Sequence, residues 1–271
     1  MSRRAKITVR TLLDRKKAGE RIAMLTAYDY QTARLEDRSG VEVILVGDSL
    51  GMVVLGYENT IPVTLEDVVH HTKAVARARP NALVVGDMPF MSYQTGPSDA
   101  IRSAGRLVKE GGAEAVKLEG GRRMEPVIRA ILDADIPVMG HIGLTPQSLH
   151  RFGGYRVQGK DASGAERLVE EAVFLEEVGC FCMVLEAMPW DVARKITEAV
   201  GIPTVGIGAG PHCDGQVIVV NDLLGMSDEF TPKYVKRYAE FGREMERAFQ
   251  AYVDDVKSGR FPDLEHSYSR D

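Results

Sequence analysis

Eight short apolar runs, most of them followed by a segment of helical periodicity, constrain this chain more than any other feature of its sequence. The runs are Ile22–Tyr28, Val43–Gly47, Ala82–Gly86, Ala115–Leu118, Pro137–Gly140, Cys182–Leu185, Thr204–Ile207 and Val217–Val220. Short continuous apolar runs of this kind read as strands buried on both faces, the pattern of a parallel sheet. Between them, Gln31–Ser39, Thr64–Ala78, Ser98–Glu110, Met124–Ala134, Gly164–Val178 and Asp191–Val200 carry helix patterns. Thr64 with Asp67 is a short-chain form of the capping box, and Ser98 reads as a helix cap. Gly111-Gly112 marks a helix stop. Eight βα units without a long insertion predict an α/β fold, a closed (β/α)8 TIM barrel, with residues 1–271 as a single domain. An open doubly wound sheet is the alternative, and it needs a crossover point. Thr8–Lys17 reads as an extra N-terminal helix over the barrel floor. Pro232–Val256 reads as a long C-terminal helix, with Tyr234, Val235, Tyr238, Phe241, Met245, Phe249, Tyr252, Val253 and Val256 at helical spacing. That stripe packs on its own barrel or covers a neighbouring subunit.

Composition narrows the partners. A formal net charge of -5 argues against a nucleic-acid groove. No run of about 18 apolar residues suggests a membrane-spanning helix. The basic start, Met1 to Lys6, is not followed by the apolar stretch of a signal peptide. Three cysteines, an odd and low count, suggest reduced thiols in a cytosol. Cys180-Phe181-Cys182 lacks the second pair of a zinc site and reads as buried strand thiols.

Asp48, Asp87 and Glu119 stand at the C-terminal ends of three consecutive apolar runs. Barrel enzymes place their chemistry at those strand ends. An uncompensated buried carboxylate there costs several kcal/mol, roughly, so it needs a partner. Three converging carboxylates suit a hard cation such as Mg²⁺, whose open positions a 2-oxo acid can fill. The alternative is three unrelated caps for the helices that follow. Lys117 shares a strand face with Glu119. It makes a salt bridge with one of the carboxylates, contacts an anionic substrate, or does both. Glu186 ends the sixth run apart from the trio, as befits a general base strengthened by burial. A cap or a structural ion pair is the plainer reading. His141 is either a satisfied structural histidine or a hydrogen-bond partner of substrate or of a developing enolate oxygen. Gly206 to Gly210 suits a phosphate-binding loop, a tight turn or a close approach. Asp214 and Gly215 read as structural.

These segments resemble a known family. Gly47-Asp48-Ser49-Leu50-Gly51-Met52, Gly86-Asp87-Met88-Pro89-Phe90, Ala115 to Gly121, His141-Ile142-Gly143-Leu144-Thr145-Pro146-Gln147, and Gly206–Gly210 with Cys213-Asp214-Gly215-Gln216 are similar to ketopantoate hydroxymethyltransferases, from about Ile7 to about Phe261. The resemblance implies a homodecamer of (β/α)8 barrels in the cytoplasm that uses Mg²⁺ and 5,10-methylenetetrahydrofolate. It implies hydroxymethyl transfer to 3-methyl-2-oxobutanoate, giving 2-dehydropantoate, the first committed step toward pantothenate and coenzyme A. It also implies metal positions at Asp48, Asp87 and Glu119. Asp48, Ser49, Asp87 and Lys117 become substrate contacts, and Glu186 the proton acceptor. Gly86 and Trp190 depart from the expected pattern without removing a functional group. Two rivals are a Mg²⁺ barrel lyase or phosphonomutase, which would bring a reactive cysteine on a mobile loop, and a non-catalytic barrel scaffold.

Overall fold

Residues 5–227 and 231–270 are described by a computed structural model, so the basic residues 1–4 lie outside the described part. The chain forms two compact units, Met1–Val219 and Val220–Asp271.

The first unit is the barrel. Its strands are β1 (Ile22–Thr26), β2 (Val43–Val46), β3 (Leu83–Asp87), β4 (Ala115–Lys117), β5 (Val138–Gly143), β6 (Cys182–Glu186), β7 (Thr204–Ile207) and β8 (Gly215–Ile218). Each is parallel to the next, and β8 closes on β1, so the sheet has no open edge. The open-sheet alternative is thereby excluded. Its helices are α1 (Val9–Ala18), α2 (Tyr30–Ser39), α3 (Leu50–Val53), α4 (Leu65–Arg77), α5 (Pro97–Arg106), α6 (Glu125–Asp133), α7 (Leu149–Phe152), α8 (Ala162–Val178) and α9 (Trp190–Ala199).

Alternate strand residues fill the barrel interior. Met24, Val43, Leu45, Leu83, Val85, Met139, Val184, Val205 and Val217 form one buried cluster with Ile7 and Leu12. Full burial of side chains of this size stabilises by about 1.5–3 kcal/mol each. Leu12 of α1 is completely buried, and Ile7 N donates to Asn81 O beside the start of β3. The extra N-terminal helix therefore does seal the floor. Asp214 is structural too: Oδ2 accepts from Lys16 Nζ at 2.9 Å and from Thr204 N at 2.9 Å.

Local signals explain most boundaries. Thr64 Oγ1 accepts from Asp67 N while Asp67 Oδ2 accepts from Thr64 N, a capping box at the start of α4. Ser98 is not a cap. Helix α5 begins one residue earlier at Pro97, whose fixed φ suits a first helical position, and Gly96 occupies the cap. Strand β5 runs three residues beyond Gly140, because its pairing with β6 continues from Met139 to Gly143 and holds His141 in the ladder. Strand β8 begins at Gly215, where pairing to Ile22 and Val205 starts, and ends at Ile218.

The second unit contains α10 (Val220–Leu223) and α11 (Phe241–Lys257). The helix expected from Pro232 thus starts at Phe241. Residues 232–240 are irregular because their backbone groups bond elsewhere: Tyr238 N donates to Leu223 O at 2.8 Å and Phe241 N to Leu224 O at 2.9 Å. Arg237 Nη2 adds a bond to Ser227 O. Phe241, Met245, Phe249, Tyr252, Val253 and Val256 are all exposed on α11. Among the described residues no helix is long and apolar enough to cross a membrane.

Candidate active site

Strand order delivers the acidic residues to one end of the barrel. Asp87 is the last residue of β3, Lys117 the last of β4, and the two are register partners. Asp48 and Glu119 lie two residues beyond β2 and β4, and Glu186 ends β6. Asp48, Asp87, Lys117, Glu119 and His141 are buried, while Glu186 keeps 14% of its side chain exposed. None of the carboxylates caps the helix after it. The caps of α3, α5, α6 and α9 are Ser49, Gly96, Met124 and Pro189, each without a side-chain capping bond.

Lys117 Nζ stands 2.9 Å from Asp87 Oδ1 as an ion pair, and Asp87 Oδ2 accepts from Asp48 N at 3.1 Å. His141 lies between two of the charged groups: Nδ1 is 3.3 Å from Lys117 Nζ, and Nε2 is 3.2 Å from Glu186 Oε2. Ser49 Oγ is 2.8 Å from the Tyr28 hydroxyl, whose backbone carbonyl is 2.7 Å from His71 Nδ1.

The charges shape one another. Burial, then repulsion from Asp87, pushes the Asp48 carboxyl up to about 7, against the opposing pull of Lys117. Burial pushes Glu186 up to about 8, although Lys117 draws it down. Glu119 is held well above the usual carboxylate range by burial, with Asp48 and Asp87 adding to the rise. Burial disfavours the Lys117 cation, but Asp87, Glu119 and Asp48 outweigh it and raise its pKa. His141 is driven well below its ordinary value by burial and by Lys117, which keeps the ring neutral.

Four carboxyl groups therefore crowd one ammonium inside the protein, and the raised pKa values of Asp48, Glu119 and Glu186 reflect the cost of ionising them there without a further cation. Glu119 Oε1 is buried and has no hydrogen-bond partner among the described residues, and buried Asp87 Oδ1 meets the Lys117 ammonium. A buried oxygen left without a hydrogen-bond partner fits a hard divalent cation. Among the described residues, no three His, Cys, Asp or Glu side chains form a ready-made cation cage. Mg²⁺ does not demand one, since it commonly takes one or two carboxylates and completes its shell with water and substrate oxygens.

Two residues stand in this network that sequence reasoning did not single out. Gln147, in the turn after β5, donates from Nε2 to Asp48 Oδ2 at 2.9 Å and from its backbone N to Glu119 Oε2 at 3.0 Å. Tyr93, in the loop after β3, places its hydroxyl 2.8 Å from Gln147 Oε1 and accepts from Glu119 N at 3.1 Å. The only sequence signal was the placement of Gln147 at the end of a quoted motif.

The glycine-rich loop after β7 shows close packing. Gly210 has φ +81°, and a Cβ there would collide with Trp190 at the start of α9. Cys180, Cys182 and Cys213 are all buried, with Cys180 just ahead of β6. Burial pushes the Cys180 thiol up to about 12 and Cys213 up to about 11. No reactive thiol of the kind a barrel lyase would use is found among them.

Comparison with known proteins places this arrangement. The sequence profile of the family described as "Ketopantoate hydroxymethyltransferase" matches residues 6–264. A 3-methyl-2-oxobutanoate hydroxymethyltransferase of Moorella thermoacetica is 56% identical over 268 residues, covering 99% of this chain and 100% of the relative. One from Clostridium novyi is 57% identical over 266 residues, covering 98% and 97%. Among solved structures, a phosphonopyruvate hydrolase in complex with oxalate and Mg²⁺ superposes with a TM-score of 0.62 at 12% identity, covering 96% of this chain and 93% of that one. At that identity the likeness concerns the fold.

Proposed function

The chain belongs to the ketopantoate hydroxymethyltransferase family and is an enzyme of that family, and from this premise we propose that it moves a hydroxymethyl group from 5,10-methylenetetrahydrofolate to 3-methyl-2-oxobutanoate with Mg²⁺ present. The products are 2-dehydropantoate and tetrahydrofolate, in the pathway to pantothenate. In this reading the enzyme works in the cytoplasm as a homodecamer.

The observation that carries the proposal is the group of four carboxyl groups around the ammonium of Lys117, three at the ends of β2, β3 and β4 and Glu186 at the end of β6. Asp48, Asp87 and Glu119 would hold the cation. When bound, Mg²⁺ supplies Lewis-acid stabilisation of negative charge that develops on the keto oxygen. Lys117 and Ser49 face the anionic end of the substrate. Glu186 accepts the C3 proton, and the electron pair of the broken C–H bond passes toward the C2 carbonyl. One C–N bond of the methylene group opens, the C3 carbon bonds to that one-carbon unit, and water then supplies the hydroxyl oxygen as the second C–N bond breaks and the folate nitrogen leaves, protonated, as tetrahydrofolate. A pKa near 8 suits Glu186 to this task, because a base titrating near the working pH combines availability with strength. Neutral His141, with Nε2 3.2 Å from Glu186 Oε2, does not compete for that proton.

The test is loss of the C3 proton of 3-methyl-2-oxobutanoate in D₂O, followed by NMR. Mg²⁺-dependent exchange is expected from the native enzyme. Glu186→Gln should bind the substrate but slow exchange by about 100-fold or more, the range for removal of a general base. Normal exchange in that variant would remove Glu186 as the base.

A further inference from the structure

We propose that Gln147, locked in orientation by Tyr93, is the positioning residue that presets Asp48 and Glu119 for a divalent cation. The inference rests on the reading of Asp48, Asp87 and Glu119 as the cation site. Gln147 and Tyr93 are nearly inaccessible, at 5% and 1% exposure, so water does not decide their bonding.

The amide has one chemically consistent orientation. Two groups converge on its oxygen: the Tyr93 hydroxyl at 2.8 Å and Gln94 Nε2 at 3.2 Å. The opposite end of the amide meets Met88 O, which can only accept, so the atom there must be the donor nitrogen. The NH₂ end therefore faces the other way, and its two protons go to Asp48 Oδ2 and Met88 O, each at 2.9 Å. The Tyr93 proton has a competing acceptor in Glu119 O at 3.3 Å, and the shorter contact to Gln147 wins. With its proton directed to Gln147, the hydroxyl oxygen is left to accept from Glu119 N.

One residue thus grips two carboxylates, Asp48 through its side chain and Glu119 through its backbone. The Asp48 backbone N–H in turn holds Asp87 Oδ2. In all three acidic residues one oxygen is fixed by an N–H donor, while Glu119 Oε1 has no hydrogen-bond partner among the described residues and Asp87 Oδ1 faces the Lys117 ammonium. The donors on Asp48 and Glu119 are neutral. An amide aims a carboxylate without cancelling its charge, so the negative field needed by a cation survives. A lysine or arginine in the same place would neutralise it.

The experiment compares native enzyme, Gln147→Leu and Tyr93→Phe. Mg²⁺ affinity is measured by titration calorimetry, and the Mg²⁺ dependence of C3 proton exchange by NMR. Partners that orient metal ligands are worth about 10- to 100-fold in metal affinity. Gln147→Leu is expected to weaken Mg²⁺ binding within that range and to raise half-saturating Mg²⁺ by the same factor. Exchange at saturating Mg²⁺ should be retained. Tyr93→Phe keeps the ring, frees the amide, and should shift both quantities the same way by a smaller factor. It also carries the test if the leucine variant does not fold. Unchanged Mg²⁺ affinity in the folded variants overturns the inference, as does a lost saturated rate at unchanged affinity. If the native enzyme itself binds no Mg²⁺, the cation site falls and the inference with it, a result distinct from equal binding by native and variant proteins.

Discussion

Glu36, on α2, is buried, and among the described residues neither of its carboxyl oxygens has a hydrogen-bond partner. Burial, with Asp29 adding repulsion, pushes it from an ordinary 4.5 to about 8. The unfolded chain releases this proton near 4.5 and the folded chain keeps it to about 8. The folded state therefore binds the extra proton between those values. The group's contribution is fully present below 4.5 and declines as pH rises to about 8, by up to about 1.4 kcal/mol per pH unit. Glu36→Gln removes the titration, so its melting temperature relative to the native protein should climb from pH 5 to pH 8. A difference independent of pH would show that Glu36 ionises freely in the folded state. Inside the barrel mouth, Asp87→Ala takes away the partner of Lys117 and the acceptor of Asp48 N. Cation-dependent binding of 3-methyl-2-oxobutanoate should fall below detection by calorimetry. The positions of Asp48, Asp87, Glu119 and Glu186 at strand ends were legible, because strand pattern and barrel topology together determine which end each occupies. Tyr93 and Gln147 were not. They are 54 residues apart, on different loops, and no periodicity links one to the other.

The same contrast holds for elements. Continuous apolar runs identified all eight strands, yet their ends shifted where pairing with neighbours rather than composition set them, as at the far end of β5 and the start of β8. Strand β5 is the clearest case: β6 holds it in register to Gly143, where the backbone turns at φ +97°. A Cβ at Gly143 would collide with the Glu186 carbonyl oxygen and crowd Met188 Cε. Leu144 N also donates to that carbonyl at 2.9 Å. The glycine thus lets the β5 turn lie directly against the residue proposed as base. Gly143→Ala should cost roughly 1–3 kcal/mol of stability through backbone strain. It should also slow C3 proton exchange at saturating Mg²⁺, because Glu186 moves. Thermal melts and the NMR assay read the two effects separately, and an unaltered exchange rate would show that the strand end tolerates the shift. Helix α11 missed its expected start for a related reason: apolar spacing continued through Tyr234 and Tyr238, but Tyr238 N donates to Leu223 O at the end of α10 and Phe241 N to Leu224 O just after it.

For the whole molecule, eight repeats predicted closure, and β8 does meet β1. One domain over residues 1–271 is our proposal for the intact protein, and its expected signature is a single cooperative melt, with two separated transitions as the refutation. The exposed apolar stripe of α11 includes Phe249 at 62% and Tyr252 at 59% exposure, an arrangement suited to burial between subunits. Light scattering on the purified enzyme should give a mass near ten chains, and Phe249→Glu combined with Tyr252→Glu should lower it. A native mass of one chain would defeat the decamer. The sealed cysteines have a use beyond the chemistry they exclude. With all three thiols buried, a maleimide dye should leave the native protein unlabelled and mark it only as it opens, so the label count becomes a clock for unfolding. A fourth cysteine placed on the surface could then carry a fluorophore alone, without removal of any natural residue.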